Sequence, residues 1–120
     1  MMNAAQLQSE LRYFTGTEQY FYHQMFPKFR YTDGVRFLAQ EAGAYWLLEK
    51  IFSNQILPEI RGERFQFWKL SVTENQSANL TCEDGNGTVV YAEKIDYTDF
   101  PLEEITFFFT DSVLLLPSEY

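Results

Sequence analysis

A helical first half followed by a stranded second half predicts an α+β fold. The expected architecture is a set of N-terminal helices packed on a C-terminal antiparallel meander sheet of about four to five strands. Three observations carry it. Apolar residues recur at helical spacing up to about residue 60, the period drops to two from Arg64 onward, and Asp84-Gly85-Asn86-Gly87 punctuates two strand-like runs. The 120 residues fit a single domain, 1–120, with a helical part over about 3–60 and a sheet part over about 64–116.

Asn3 is placed to cap a helix from Ala4 to about Phe14, with Leu7 and Leu11 on one face. Thr15-Gly16-Thr17 breaks it. The aromatic run Gln19 to Met25 reads as a short strand, kept short by Pro27. Thr32 or Asp33 then caps a second helix carrying Val35, Leu38, Ala39 and Ala42, and Gly43 either ends it or kinks it. Ala44, Leu47, Leu48, Ile51 and Phe52 form the apolar stripe of a third helix, and Pro58 and Gly62 close the helical half.

Strands follow. In Phe65 to Thr73, Trp68, Leu70 and Val72 alternate with Lys69, Ser71 and Thr73. Ala78 to Glu83 and Thr88 to Ile95 flank the Asp-Gly and Asn-Gly turn signals. Pro101 bars a central strand between Asp96 and Pro101, and Ile105, Phe107 and Phe109 alternate with their neighbours in a fourth strand. Thr110-Asp111-Ser112 turns the chain into Val113 to Leu116. That run is apolar on both faces, so it calls for cover on both sides or burial of one face in an oligomer. Tyr31-Thr32-Asp33, Tyr97-Thr98-Asp99 and Phe109-Thr110-Asp111 share a pattern that capping and turn chemistry explain without a repeat.

Composition bounds the class. A chain with 46% hydrophobic and 18% aromatic residues can bury a real core. The single cysteine, Cys82, excludes an intramolecular disulfide and is compatible with a reducing cytoplasm, the expected location. The N-terminus lacks the basic and apolar regions of a signal peptide, and no run reaches the ~18 apolar residues of a membrane span. Charge is divided by position. Residues 73–120 hold ten acids against Lys94 alone, a local charge of −9, while residues 1–72 hold seven acids and eight bases, +1.

Candidate chemistry is sparse. His23, the only histidine, is a general base on one reading, or half of a Cys-His pair with Cys82. A strand histidine is the plainer account. The acids beside Cys82 disfavour a thiolate. Asp84, Asn86 and Thr88 are spaced like calcium ligands, but Val89 and Ile95 stand where that loop needs Gly and Glu. Zinc lacks ligands, and no phosphate loop or nucleophile elbow occurs. Arg61, Arg64 and Lys69 interleave with Phe65, Phe67 and Trp68, a pattern that can bind single strands. The acidity of the remainder argues against direct nucleic-acid binding, and a strand with Trp inward and bases outward accounts for it. Metal or two-carboxylate catalysis from Glu83, Asp84, Glu93, Asp96, Asp99, Glu103 and Glu104 stays open, but no spacing singles out a pair, so no catalytic residue, metal or cofactor is assigned.

Several blocks together resemble one small bacterial family of unknown function. They are Phe14-Thr15-Gly16-Thr17-Glu18, Tyr31-Thr32-Asp33-Gly34, Ala42-Gly43-Ala44-Tyr45-Trp46-Leu47 and Phe65-Gln66-Phe67-Trp68-Lys69-Leu70. Cys82-Glu83-Asp84-Gly85-Asn86-Gly87, Tyr97-Thr98-Asp99-Phe100-Pro101-Leu102 and Leu116-Pro117-Ser118-Glu119-Tyr120 complete the set. The resemblance implies a bacterial cytoplasmic protein, with a plasmid or other mobile element as a suggested source. It brings no activity, ligand or site.

Three functions follow from these features. The charge division points to a non-enzymatic binding protein of inhibitor or immunity type. It would present Glu83, Asp84, Glu93, Asp96, Asp99, Glu103 and Glu104 to a basic protein partner, provided the acids share a face. The aromatic content points to a small-molecule binder or enzyme with a pocket lined by Tyr20, Tyr22, His23, Trp46 and Trp68. The apolar Val113 to Leu116 run and Phe108 point to a self-associating module, a homo-oligomer.

Overall fold

The computed structural model describes residues 2–120. Four helices, α1 (Ala4–Leu11), α2 (Asp33–Ala42), α3 (Tyr45–Ser53) and α4 (Pro58–Arg61), accompany seven strands. The strands are β1 (Tyr20–His23), β2 (Phe26–Thr32), β3 (Phe65–Val72), β4 (Ala78–Glu83), β5 (Val89–Ile95), β6 (Glu104–Thr110) and β7 (Val113–Leu115). All seven form one sheet in the order β1-β2-β7-β6-β3-β4-β5.

The α+β class holds, but the sheet is larger than the expected meander and is mixed. The β1–β2 hairpin of the first half joins it, and β2 pairs with β7 in parallel. Pro27 does not end the first strand region; it lies inside β2. The β1–β2 register shifts between Tyr22 and His23, and Pro27 falls in that irregular stretch, where no ladder N–H is required. Pro58 likewise begins α4 rather than ending the helical half, since a first-turn residue donates no intrahelical bond. The β7 run lies between β2 and β6, with Leu114 buried against the helices and Val113 and Leu115 on the other face of the sheet.

Local chemistry explains the helix ends. Asn3 and Gln6 form a reciprocal capping box at α1. The Thr32 hydroxyl accepts from the Val35 N–H at α2, and Gly43 ends α2 at φ 62°, a left-handed cap. At the β4–β5 hairpin only Gly87 takes a positive φ, 85°, because the turn closes by Gly87 N–H to Asp84 C=O and the ladder then shifts register.

The helices cover one face of the sheet. Phe52 of α3 packs on Phe29 and Phe109, Tyr45 on Tyr31, and α1 lodges Leu7 and Leu11 against α2. Trp68, Phe52 and Phe107 are fully buried there, each worth ~3 kcal/mol of transfer free energy. Among the described residues, none of α1 to α4 covers the opposite face. Register places Leu115, Phe108 and Phe67 in one row across this open face and Val113, Thr110 and Phe65 in the next. Tyr120 sets its ring edge-on to Phe65 and Phe108, at 5.6 and 5.3 Å between centroids.

The tail is pinned by Glu119. Its carboxylate accepts from the Thr32 hydroxyl at 2.6 Å, the Gly34 N–H at 3.2 Å and the Leu116 N–H at 3.0 Å. This places a buried carboxylate at the start of α2, where free N–H groups and the helix dipole favour negative charge. A Cβ at residue 34 would meet that carboxylate at 2.8 Å, so any larger residue there would have to displace the Glu119 side chain from its three donors.

Candidate functional site

The seven acids expected to share a face fall into three groups. Glu83 and Asp84 stand at the β4–β5 hairpin. The Asp84 carboxylate accepts from the Asn86 N–H at 2.8 Å and the Thr88 N–H at 3.0 Å, an occupation of its oxygen by turn chemistry. Glu93 lies on the helix-covered side, within 2.7 Å of Lys50 Nζ, and accepts from the Tyr91 hydroxyl at 2.8 Å. The lysine contact holds the Glu93 carboxyl below its ordinary value, against the opposing effect of burial.

The third group shares one end of the sheet. Asp96, Asp99, Glu103 and Glu104 sit where β5 ends and β6 begins. Glu74, in the β3–β4 turn, joins them because Thr98 N–H bonds Gln76 C=O at 2.8 Å across the same end. Glu104 pairs with Lys69 at 3.1 Å. Among the described residues, no salt bridge holds Glu74, Asp96, Asp99 or Glu103. Thr98 fixes this loop further: it is buried, and its hydroxyl accepts from the Phe100 N–H at 3.1 Å.

An open groove of about 1200 Å³ runs along this end, between Ala4, Ala5 and Gln8 of α1 and the segment Phe100 to Glu104. Val72, Phe100 and Leu102 supply apolar lining; Glu74, Glu103 and Glu104 supply the charge. Such an arrangement offers a long cationic side chain an apolar surface for its stem and carboxylates for its head.

The other candidates disperse. His23 is held by its neighbours: Nδ1 accepts from the Met25 N–H at 3.1 Å, which leaves Nε2 to face Glu49 at 3.3 Å. Cys82 is buried on β4, and burial, then the nearby acids, push its thiol up to about 12. Five inter-strand steps separate β1 from β4, ~24 Å, so His23 and Cys82 form no pair. The suspected aromatic pocket lining does not converge either. Trp68 is fully buried and donates to Gln66 Oε1 at 2.8 Å, while Tyr22 is 63% exposed beside Arg30.

A smaller cleft of about 420 Å³ opens elsewhere, over Phe29 and Phe109, with Arg61, Arg64 and Asp111 at its edge. Beneath it Gln55 and Gln66 exchange two amide hydrogen bonds of 2.9 and 2.8 Å and are satisfied without a ligand. Arg64, Phe65 and Lys69 do not surround Trp68: Phe65 and Phe67 share the open face, and Trp68 points into the core, as the plainer account expected.

Sequence reasoning missed Glu74, the Lys50–Glu93 pair and Glu119. For Glu119 a signal existed, an acceptor three residues after the residue preceding Pro117, the spacing of a helix-start box.

The fold and groove define a small α+β protein with one seven-stranded mixed sheet, helices on one face and an acidic end. The chain belongs to DUF6876, a family of unknown function, whose model matches residues 5–120. No curated protein and no solved structure matches it. Among the described residues, no helix is long and apolar enough to cross a membrane.

Proposed function

We propose that this protein is a non-enzymatic binding protein of inhibitor or immunity type, and that its acidic end takes a basic segment of a protein partner. The observation that carries this is the groove itself. Glu74 and Glu103 line it, Asp96 and Asp99 stand at the same end of the sheet, and among the described residues none of the four has an ion pair; Val72, Phe100 and Leu102 supply apolar lining. The surface is narrower than all seven acids together: Glu93 is engaged by Lys50, and Glu83 and Asp84 stand at the far end of β4. A carboxylate cluster left unpaired beside an apolar groove favours association with cations and steers their approach. The bacterial cytoplasm, which the family resemblance implies, is where such a partner would be sought.

The test is capture of partners from a bacterial lysate by the tagged full chain, at low and at high salt. Two variants of equal net charge are compared. One is Glu74→Gln, Asp99→Asn and Glu103→Gln; the other is Glu18→Gln, Glu41→Gln and Glu59→Gln. The expected result is a basic protein whose affinity falls about tenfold in the groove variant and hardly changes in the control. Equal loss in both would mean that net charge alone attracts the partner, and would overturn the assignment to the groove.

A further inference from the structure

We propose that the open face of the sheet is an isologous interface, covered in solution by a second copy of this chain packed face to face.

Three features of that face support it. Its centre is apolar: Leu115, Phe108 and Phe67 lie side by side across β7, β6 and β3, with Val113, Phe65 and the Tyr120 ring next to them. A contiguous apolar patch of this kind, rimmed by polar groups, marks a contact surface.

Second, two half-buried charges of opposite sign flank the centre at equal remove. Arg30 stands on β2, two strands from β6 on one side; Glu83 stands on β4, two strands from β6 on the other. Register confirms that both lie on the open face. Arg30 opposes Val113, Glu83 opposes Phe67, and the Arg30 guanidinium lies 5.5 Å from the Tyr20 ring centroid. Neither has an ion pair among the described residues, whereas Lys69 on the same face is paired with Glu104. At ~19 Å apart, four strand spacings, they cannot reach each other within one chain.

Third, a two-fold axis running along β6 in the plane between two facing sheets exchanges the two flanks. It sets Arg30 of each copy against Glu83 of the other, twice, with Phe108 at the centre. The remaining offset along the strands is two residues, ~6.6 Å, which the arginine side chain can span. Sheets stack in this way at ~10 Å, with inner side chains interdigitating. The net charge of −8 does not oppose it locally. The open face carries Arg30, Lys69 and Lys94 against Glu83 and Glu104, while the unpaired acids crowd the sheet end beyond it.

Charge exchange tests the geometry. Sedimentation of the full chain from about 1 µM to about 500 µM should show a concentration-dependent dimer. Arg30→Glu alone or Glu83→Arg alone should raise its dissociation constant about tenfold, because each creates two like-charge contacts. The double variant Arg30→Glu/Glu83→Arg should return it to within about threefold of wild type, since the contact is restored with the signs reversed. Circular dichroism reports the folding of each variant. If a reversal unfolds the chain, Arg30→Gln and Glu83→Gln serve instead, each weakening the dimer, with the pair no weaker than either single. A wild type that stays monomeric through the whole series overturns the proposal and leaves the face to a different partner. A dimer that survives both single reversals unchanged, or a double reversal no tighter than the singles, overturns it equally.

Discussion

Gly34 and Glu119 are separated by most of the chain and meet at the start of α2, where three donors converge on one carboxylate. Alanine inside a helix is ordinarily more favourable than glycine by ~0.5–1 kcal/mol. Here the sign should reverse, because the added Cβ would stand 2.8 Å from the carboxylate. Gly34→Ala is expected to cost about 1–3 kcal/mol in urea unfolding by leaving buried groups without partners. In a Glu119→Ala background the same change should cost nearly nothing; additive costs would show that the two residues are not coupled. Glu119, which is buried, and Glu93, which is partly exposed, should also respond oppositely to pH. Burial raises Glu119, so its contribution is complete below the unfolded value, near 4.5, and is lost as pH rises through the folded value. The Lys50 contact lowers Glu93, so its contribution is present above the unfolded value, near 4.5, and is lost as pH falls through the folded one. The stability difference between wild type and Glu119→Gln should therefore shift in favour of wild type on acidification. The difference between wild type and Glu93→Gln should shift the other way. Parallel slopes would contradict the assignment.

At the scale of elements, what was legible in the sequence was whatever is local. The period-two runs, the turn signals and the apolar run after Ser112 together located β3 through β7 to within a residue or two, and the caps at Asn3, Thr32 and Gly43 stand where their chemistry puts them. The β2 strand was not legible, because Pro27 near its start argues against pairing and only a register shift supplied by β1 makes it harmless. Its parallel pairing with β7 was not legible either, since Arg30 and Val113 come together through tertiary packing that no local pattern encodes. The placement of the acids was not legible for the same reason. Ten acids in the last two-fifths of the chain suggested one surface, but strand alternation sends Glu93 to the helix side, and the β4–β5 hairpin carries Glu83 and Asp84 to the far end. Glu74 became part of the groove only because the β3–β4 turn and the loop before β6 share an end of the sheet.

In the whole molecule the sheet has a seam. On one side the pairing of β3 with β6 runs from Phe65–Thr110 to Ser71–Glu104 and forms the middle of the core. On the other side the ladder joining β2 to the rest of the sheet is short, Arg30–Val113 and Tyr31–Leu114 in parallel, and it is supplemented by the Arg30 N–H to Ser112 C=O bond, the Glu119 contacts to Thr32 and Gly34, and the packing of Phe29 on Phe52 and Phe109 and of Tyr31 on Tyr45. A unit held by so short a ladder should open below the cost of global unfolding. Native-state hydrogen exchange should therefore show β1, β2 and the start of α2 exchanging together at a lower free energy than β3 and β6. Two variants separate the steps. Glu119→Ala weakens an interaction that both openings break, so it should lower both free energies by the same amount, about 1–2 kcal/mol. Leu80→Ala removes a fully buried side chain of β4, on the other side of the seam, and should lower global stability by about 3 kcal/mol. Because β4 stays folded when the seam opens, exchange of β1 and β2 should then be unchanged, until the two free energies meet. If Leu80→Ala instead moves the β1 and β2 amides from the outset, the sheet opens as one unit and the seam is not a cooperative boundary.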